Sequence, residues 1–498
     1  MSKPFSGLAE ELLHARIAWN RTWRLPVLPP VVWLTVERVT QQALWIALFA
    51  VLMPILGPRP YGVFAIVMVF VGFCELILLD GTVEALVTVD KLDHKHTTAA
   101  NLASCILGLV LGLALFATGP LIAQAMRDDD IRNVIWALAP MPLLSSLSAV
   151  PVAVLRRGLK YRQLAIRAIS GLTIGGVFGI ALALAGAGVW ALVLQVLAQR
   201  IAELVIAWIG VPVRFGLAWS APHFRELRPV VLNVIAARMM NLATGQMPRL
   251  VLGYALGATD VGLFALGNRF LEIIVHTTVV PRAAVGRIEL RAEAFGSAEF
   301  SREFANMARN ASILAFPFFL GTAALLPELF HLWLSQEWQA GIVPAQLIVL
   351  SGAPMVFFYS FDAALLAGNL SSVFRRTSTI QGVTVAVTAL CAAPFGLTVT
   401  CLALAIRPWV LLPIIAMIFH RSTGIPYRAL LPSVHPLIGA VIMAILLSIP
   451  IAPQTGVDGA LALGLEVSAG VLVYFSYLYC FARNGLRALL PTNIGGVR

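Results

Sequence analysis

About fourteen stretches of this chain stay apolar over the ~20 residues a helix needs to cross a bilayer, and short loops separate them. They begin near residues 32, 62, 98, 134, 164, 189, 229, 263, 306, 342, 377, 398, 435 and 460. Of 498 residues, 59% are hydrophobic and only 12% charged, which leaves too little polar surface for water-soluble domains. The predicted fold class is an all-α polytopic membrane protein. The longest loop, about 286–305, carries Glu289, Arg291, Glu293, Glu299, Arg302 and Glu303 and is expected to form a short surface helix rather than a domain. The chain's chemistry must therefore take place within the membrane or at its edges.

The net charge of +11 is a topology signal. With the N-terminus placed in the cytoplasm, most of the 35 Lys and Arg fall on that side, in clusters such as Arg156-Arg157 with Lys160 and Arg162, and Arg375-Arg376. Only Arg59, Arg127 and Arg132 then face outward, while Arg38, Arg167, Arg200, Arg238, Arg249, Arg269 and Arg407 lie inside spans. Both termini are expected to be cytoplasmic. Basic loops of this kind suit anionic membrane lipids, and no nucleic-acid partner is expected. Cys74, Cys105, Cys391, Cys401 and Cys480 all fall in spans without ligand spacing, so neither a disulfide nor a metal site is predicted, and no cofactor. Residues 1–30 lack a cleavable signal and are expected to lie along the cytoplasmic membrane surface as an amphipathic segment.

A repeat divides the chain. Leu56-Gly57, Gly62 and Phe64-Ala65 recur as Leu256-Gly257, Gly262 and Phe264-Ala265, and in this register Arg38 falls opposite Arg238 and Gln41 opposite Asn241. Gly188-Val189 before span six likewise resembles Gly396-Leu397 before span twelve. The expected organisation is a cytoplasmic segment (1–30), an N-lobe of six helices (31–211), an inter-lobe loop (212–228), a C-lobe of six helices (229–419), an appended helix pair (435–481) and a cytoplasmic tail (482–498). An even number of spans per half gives both halves the same orientation, so the lobes form a parallel pseudo-symmetric pair with a cleft between them, the architecture of alternating access. A purely structural duplication is the other reading.

Ionisable residues inside spans are expensive and mark interior sites. Span seven carries Arg238, Asn241, Gly245 and Arg249 along one helical face, with Gln246 beside it, and span eight carries Arg269, Glu272 and His276 along another. Span one contributes Glu37, Arg38, Gln41 and Gln42, and span two Glu75, Asp80 and Glu84. Arg200 with Glu203, and Arg407, are expected to be satisfied by local ion pairs. The set Arg38, Arg238, Arg249 and Arg269 outnumbers Glu37 and Glu272, and an excess of buried positive charge calls for an anion or water. Guanidinium forks suit phosphate or carboxylate, with Gln41 and Asn241 as amide partners for a polar substrate. Glu37, Glu272 and His276 are candidates for coupling to an ion gradient, and Asp80-Gly81 for a gate or hinge.

The pattern Trp33, Glu37-Arg38, Gln41, Leu56-Gly57-Pro58, Tyr61-Gly62, Phe64-Ala65 and Asp80-Gly81 resembles the opening of the polysaccharide transporter family, the lipid-linked oligosaccharide flippases of the multidrug, oligosaccharidyl-lipid and polysaccharide exporter superfamily. Leu155-Arg156-Arg157 with Tyr161-Arg162, then Gly262-Leu263-Phe264-Ala265 and Glu337-Trp338, extend the resemblance over about residues 30–420. It implies a non-enzymatic transporter of the bacterial inner membrane whose substrate is an oligosaccharide repeat unit on undecaprenyl pyrophosphate. It also suggests a polysaccharide polymerase and chain-length or export proteins as partners. One departure is that relatives often carry an acidic residue where this chain has Gln246-Met247-Pro248-Arg249, which makes the site more positive and unsettles a borrowed coupling scheme. A drug or cation antiporter and a lipid II flippase are the alternatives within the superfamily; a membrane-embedded polymerase and a transport-inactive scaffold are those from other classes.

Overall fold

A computed structural model describes residues 29–89, 92–211, 220–449 and 459–481; inside helices, the side chains of residues 30, 31, 80, 233, 236–244, 459 and 460 lie outside the described set. The amphipathic N-terminal segment and the C-terminal tail expected from the sequence lie outside it too. Every regular element among the described residues is helical. Among the described residues, thirteen helical stretches are long and apolar enough to cross a membrane. Together they account for every expected span except the seventh, whose place is taken by a helix of 35 residues, α9 (Ala221–Ala255). The chain is thus an all-α, multi-pass membrane protein.

The repeat is visible as geometry. Helix α1 (Pro30–Ile55) stops at Leu56, which turns extended, and Pro58 opens α2 (Pro58–Glu75), where a missing N–H does no harm. At the corresponding point of the second half, Gly257 takes φ 96° between α9 and α10 (Ala258–Ile274). Both helices then loosen into a single π-turn, Leu76–Asp80 in the first half and Val275–Val279 in the second, before resuming as α3 (Gly81–Thr88) and α11 (Val280–Ala292). Such turns accommodate one extra residue and frequently mark functional sites. The first turns of α2 and α10 also meet backbone to backbone: a Cβ on Gly62 would fall 1.7 Å from the Ala258 carbonyl oxygen, and one on Gly262 1.9 Å from that of Pro58. Only glycine permits this reciprocal contact.

Contacts group the chain into two compact units, Met1–Leu56 with Ile66–Ala243, and Gly57–Ala65 with Thr244–Arg498. In the first unit, α4 (His94–Met126) and α6 (Met141–Arg157) pack against one another, as do α7 (Tyr161–Leu184) and α8 (Val189–Ile209). Val83, Leu86, Val150, Leu155 and Leu164 form part of its core. Arg157 closes the end of α3 by donating to the carbonyls of Leu86, Val87 and Val89, satisfying acceptors that a helix end leaves open. In the second unit Phe304, Phe361 and Phe419 stack with centroids 4.7–6.1 Å apart, on α12 (Ala298–Trp333), α14 (Met355–Ala367) and α16 (Leu397–Thr423). Gly188 and Gly396, paired in the repeat, both adopt positive φ at the start of α8 and α16.

Outward faces are apolar. Leu113, Leu121, Leu390 and Ile445 are each about three-fifths exposed, among many large hydrophobic side chains on the helix exteriors, as suits contact with lipid. The charged stretch at 286–305 differs from expectation. It forms no separate surface helix but is shared between the end of α11 and the start of α12, with a short turn at 293–297. Ser297 causes this by capping α12, accepting a hydrogen bond from the Phe300 N–H.

Candidate functional site

Among the described residues, two ionic clusters of three or more charged side chains lie along the helices, one in each unit. In the first, Arg200 of α8 donates to Glu75 of α2 at 3.0 Å and to Glu203 at 3.2 Å, and Arg167 of α7 donates to Glu203 at 3.0 Å. Ser145 donates to Glu75 and Gln199 to Glu203, each at 2.9 Å. Glu203 is 4% exposed, and Gly171 makes room for it: a Cβ there would lie 2.4 Å from its Cγ. Two carboxylates against two guanidiniums balance this network in charge, although the buried Arg167 Nε has no hydrogen-bond partner among the described residues. Its Arg200–Glu203 link is the local pair expected from i, i+3 spacing. The links to Glu75 and Arg167 bridge elements far apart in sequence, and no spacing rule reveals them.

The second cluster is built on one carboxylate. Arg249 of α9 donates to Glu272 Oε1 at 3.3 Å and Arg269 of α10 donates to Glu272 Oε2 at 3.4 Å. Arg249 also donates to Gln246 at 2.7 Å, and Asn268 to Glu272 at 2.6 Å. The Glu272 side chain is 38% exposed, so the cluster is not sealed. Tyr61, from the repeat motif, lies within the electrostatic reach of Arg249, Arg269 and Glu272. Its ring is 6.3 Å from that of the fully buried Trp338. Asn268 escaped the sequence reading, although its i, i+4 relation to Glu272 on α10 was the available signal.

Arg38 is exposed on α1, in the first unit, while Glu37 and Gln41 on the same helix are half-buried. Of the cations near enough to act on Glu37, Arg167 comes ahead of Arg156 and Arg38. The backbones of Arg238 and Asn241 belong to α9, but their side chains lie outside the described residues, as does that of Asp80 in the first π-turn. Gly81 is a packing contact, where a Cβ would meet Val231 at 3.2 Å and Ile235 at 3.3 Å. His276 is exposed in the second π-turn. Arg407, expected to form an ion pair, instead donates to the Gln381 carbonyl at 3.0 Å and to Thr384 Oγ1 at 3.2 Å. The neighbouring helix offers neutral acceptors to its Nη1, while its buried Nε has no hydrogen-bond partner among the described residues.

Residues 51–343 match the model of a family described as polysaccharide biosynthesis protein. The succinoglycan biosynthesis transport protein ExoT of Rhizobium meliloti (strain 1021) is 24% identical over 299 residues, covering 60% of this chain and 57% of ExoT. The teichuronic acid biosynthesis protein TuaB of Bacillus subtilis (strain 168) is 19% identical over 309 residues, covering 59% of this chain and 62% of TuaB. The chain thus aligns with less than two thirds of the length of either relative. Among solved structures, the lipid II flippase MurJ in an inward closed conformation superposes with a TM-score of 0.71 at 12% identity, covering 92% of this chain and 99% of MurJ. An inward-facing multidrug transporter of the MATE family gives a TM-score of 0.55 at 13% identity, covering 84% and 99%. At these identities the likeness is one of fold.

Proposed function

Because the chain belongs to the polysaccharide biosynthesis protein family, we propose that it is a flippase for undecaprenyl-pyrophosphate-linked oligosaccharide repeat units. It works in the bacterial inner membrane by alternating access, with both termini cytoplasmic, and supplies exopolysaccharide, O-antigen or capsule synthesis. The names of ExoT, a transport protein, and TuaB, a polymer biosynthesis protein, support the reading, as does the MurJ-like fold. The observation that carries it is the partly exposed carboxylate of Glu272 with two guanidiniums, Arg249 and Arg269, at its two oxygens. Two guanidinium forks around a partly open carboxylate suit an anion that can take its place. A pyrophosphate offers more acceptor oxygens than one carboxylate and engages two guanidinium forks at once.

In this mechanism Glu272 holds the two arginines while the site is empty, and the pyrophosphate displaces it on arrival. Arg38 and Arg238 receive the headgroup from the cytoplasmic side, and Arg249 and Arg269 retain it when access switches outward. Gln41 and Asn241 hydrogen-bond the sugar, and Tyr61, backed by the buried Trp338, gives it an aromatic face. The release of Glu272, with Glu37 and His276, is where a coupling ion acts, and Asp80-Gly81 is the gate. The N-lobe (31–211) and C-lobe (229–419) are the moving bodies, and the helix pair at 435–481 is available to a polymerase.

The test is leaflet inversion of a fluorescent polyprenyl-pyrophosphate saccharide in proteoliposomes. Arg249→Ala and Arg269→Ala should each lower the rate by about tenfold or more, the weight of one charge-assisted contact of ~1.5–3 kcal/mol. Arg269→Lys should restore only part of it, because an ammonium lacks the fork. Wild-type rates in both alanine variants would remove the pair from the substrate path.

A further inference from the structure

A second constellation of polar side chains, outside the transport site, occupies the junction of α4 and α9 in the first compact unit. Asp93 precedes α4, His96 lies in its first turn, and His223 and Glu226 come from the beginning of α9. Three of the chain's eight histidines, His94, His96 and His223, fall in these two short segments. Asp93, His96 and His223 each offer a ligand atom within 4.8 Å of the other two. The rings of His96 and His223 stand edge to face with centroids 4.3 Å apart. His96 is 5% exposed and fixed at both nitrogens: Nδ1 accepts the Asp93 backbone N–H at 3.3 Å, and Nε2 lies 3.1 Å from Glu226 Oε2. An Nδ1 that accepts leaves the proton on Nε2, which therefore donates to Glu226. His223 Nδ1 is paired with Ser220 Oγ, and its Nε2 is the nitrogen left for a ligand.

We propose that Asp93, His96 and His223 bind a divalent transition-metal ion of the zinc class, with Glu226 orienting His96 from outside the ligand set. Two imidazoles and one carboxylate form a nitrogen-rich donor set that zinc, cobalt and nickel prefer, and that magnesium and calcium do not. An ion at His96 Nδ1 replaces only the long contact with the Asp93 N–H and keeps the Nε2–H bond to Glu226. A ligating histidine whose other nitrogen donates to a carboxylate is the arrangement that fixes the ring and raises its basicity. Closing the donors to the ~2.0–2.1 Å bonds of zinc requires movement of exposed Asp93 and half-buried His223, while His96 stays in place. A fourth position remains for water. The bound ion joins the first turn of α9 to the first turn of α4. Cysteine spacing predicted no metal site in this chain, and these ligands come from two segments that only the fold brings together.

The test uses the tag-free full-length chain in detergent, stripped with chelator and titrated with Co²⁺ and then Zn²⁺, followed by calorimetry and by the visible absorption of bound cobalt. About one Co²⁺ per chain, displaced by Zn²⁺, is expected. His223→Ala and Asp93→Asn should each weaken binding by at least about tenfold, and Glu226→Gln by about 10–100-fold. His94→Ala, an exposed neighbour outside the set, should leave it unchanged. Thermal unfolding in chelator identifies any variant that fails to fold, and Asp93→Asn at the exposed position then decides. No cobalt band in the wild type, or one that survives unchanged in folded His223→Ala and Asp93→Asn, would overturn the proposal.

Discussion

Glu203 and Glu272 are each held by two arginines, yet their settings predict opposite results when the charge is removed. Glu203 is buried in a neutral network, so Glu203→Gln leaves Arg167 and Arg200 short of a counter-charge in the interior. It should destabilise the protein by about 3–5 kcal/mol, read as a lower unfolding temperature in detergent. Glu272 is partly open and, in the proposed mechanism, competes with the substrate for Arg249 and Arg269. Glu272→Gln should therefore keep the fold and tighten binding of a polyprenyl pyrophosphate by about tenfold, a change of ~1.4 kcal/mol measurable by calorimetry. Weaker binding in that variant would show that Glu272 contributes to the substrate contact rather than opposing it. The two residues also mark how far side-chain chemistry can be inferred from spacing. Arg269 and Glu272 share a helical face, and Arg249 follows from the hairpin at Gly257, so this cluster is legible. Glu75 meets Arg200 only because α2 and α8 are brought together by tertiary packing, and no local periodicity carries that information.

At the scale of elements, the paired π-turns and the paired glycines place the repeat in the backbone itself. The extra residue of a π-turn shifts every following side chain around the helix axis, so the face that carries Glu75 does not continue in simple helical register to Glu84. Deleting Ile77 should regularise the helix and rotate α3 relative to α2. The expected outcome is a folded protein, by circular dichroism and thermal melt, with flipping lost; unchanged flipping would make the turn incidental. Gly62→Ala sets a methyl against the Ala258 carbonyl and should destabilise by about 1–3 kcal/mol, whereas Gly464→Ala, where a Cβ meets open space, should not. Glycine recurrence was readable from sequence, but the reciprocal contact between Gly62 and Gly262 was not, because a repeat does not reveal which of its copies touch.

For the whole molecule, the spans were legible because lipid imposes a single requirement, apolar length, and the observed helices meet it at nearly every expected position. The charged segment between α11 and α12 was misread because helices that project past the bilayer continue into polar sequence without a break in backbone pattern. Substrate identity is carried by no span and rests on the family together with the arginine pair. The central claim is leaflet transfer, and the direct measurement is the sidedness of lipid-linked repeat units in a strain deleted for this chain, with surface polysaccharide assayed in parallel. The account predicts loss of polymer with repeat units trapped on the cytoplasmic leaflet, rescued by the wild type and not by Arg249→Ala with Arg269→Ala. Repeat units that reach the outer face and remain unpolymerised would contradict it and point to a polymerase.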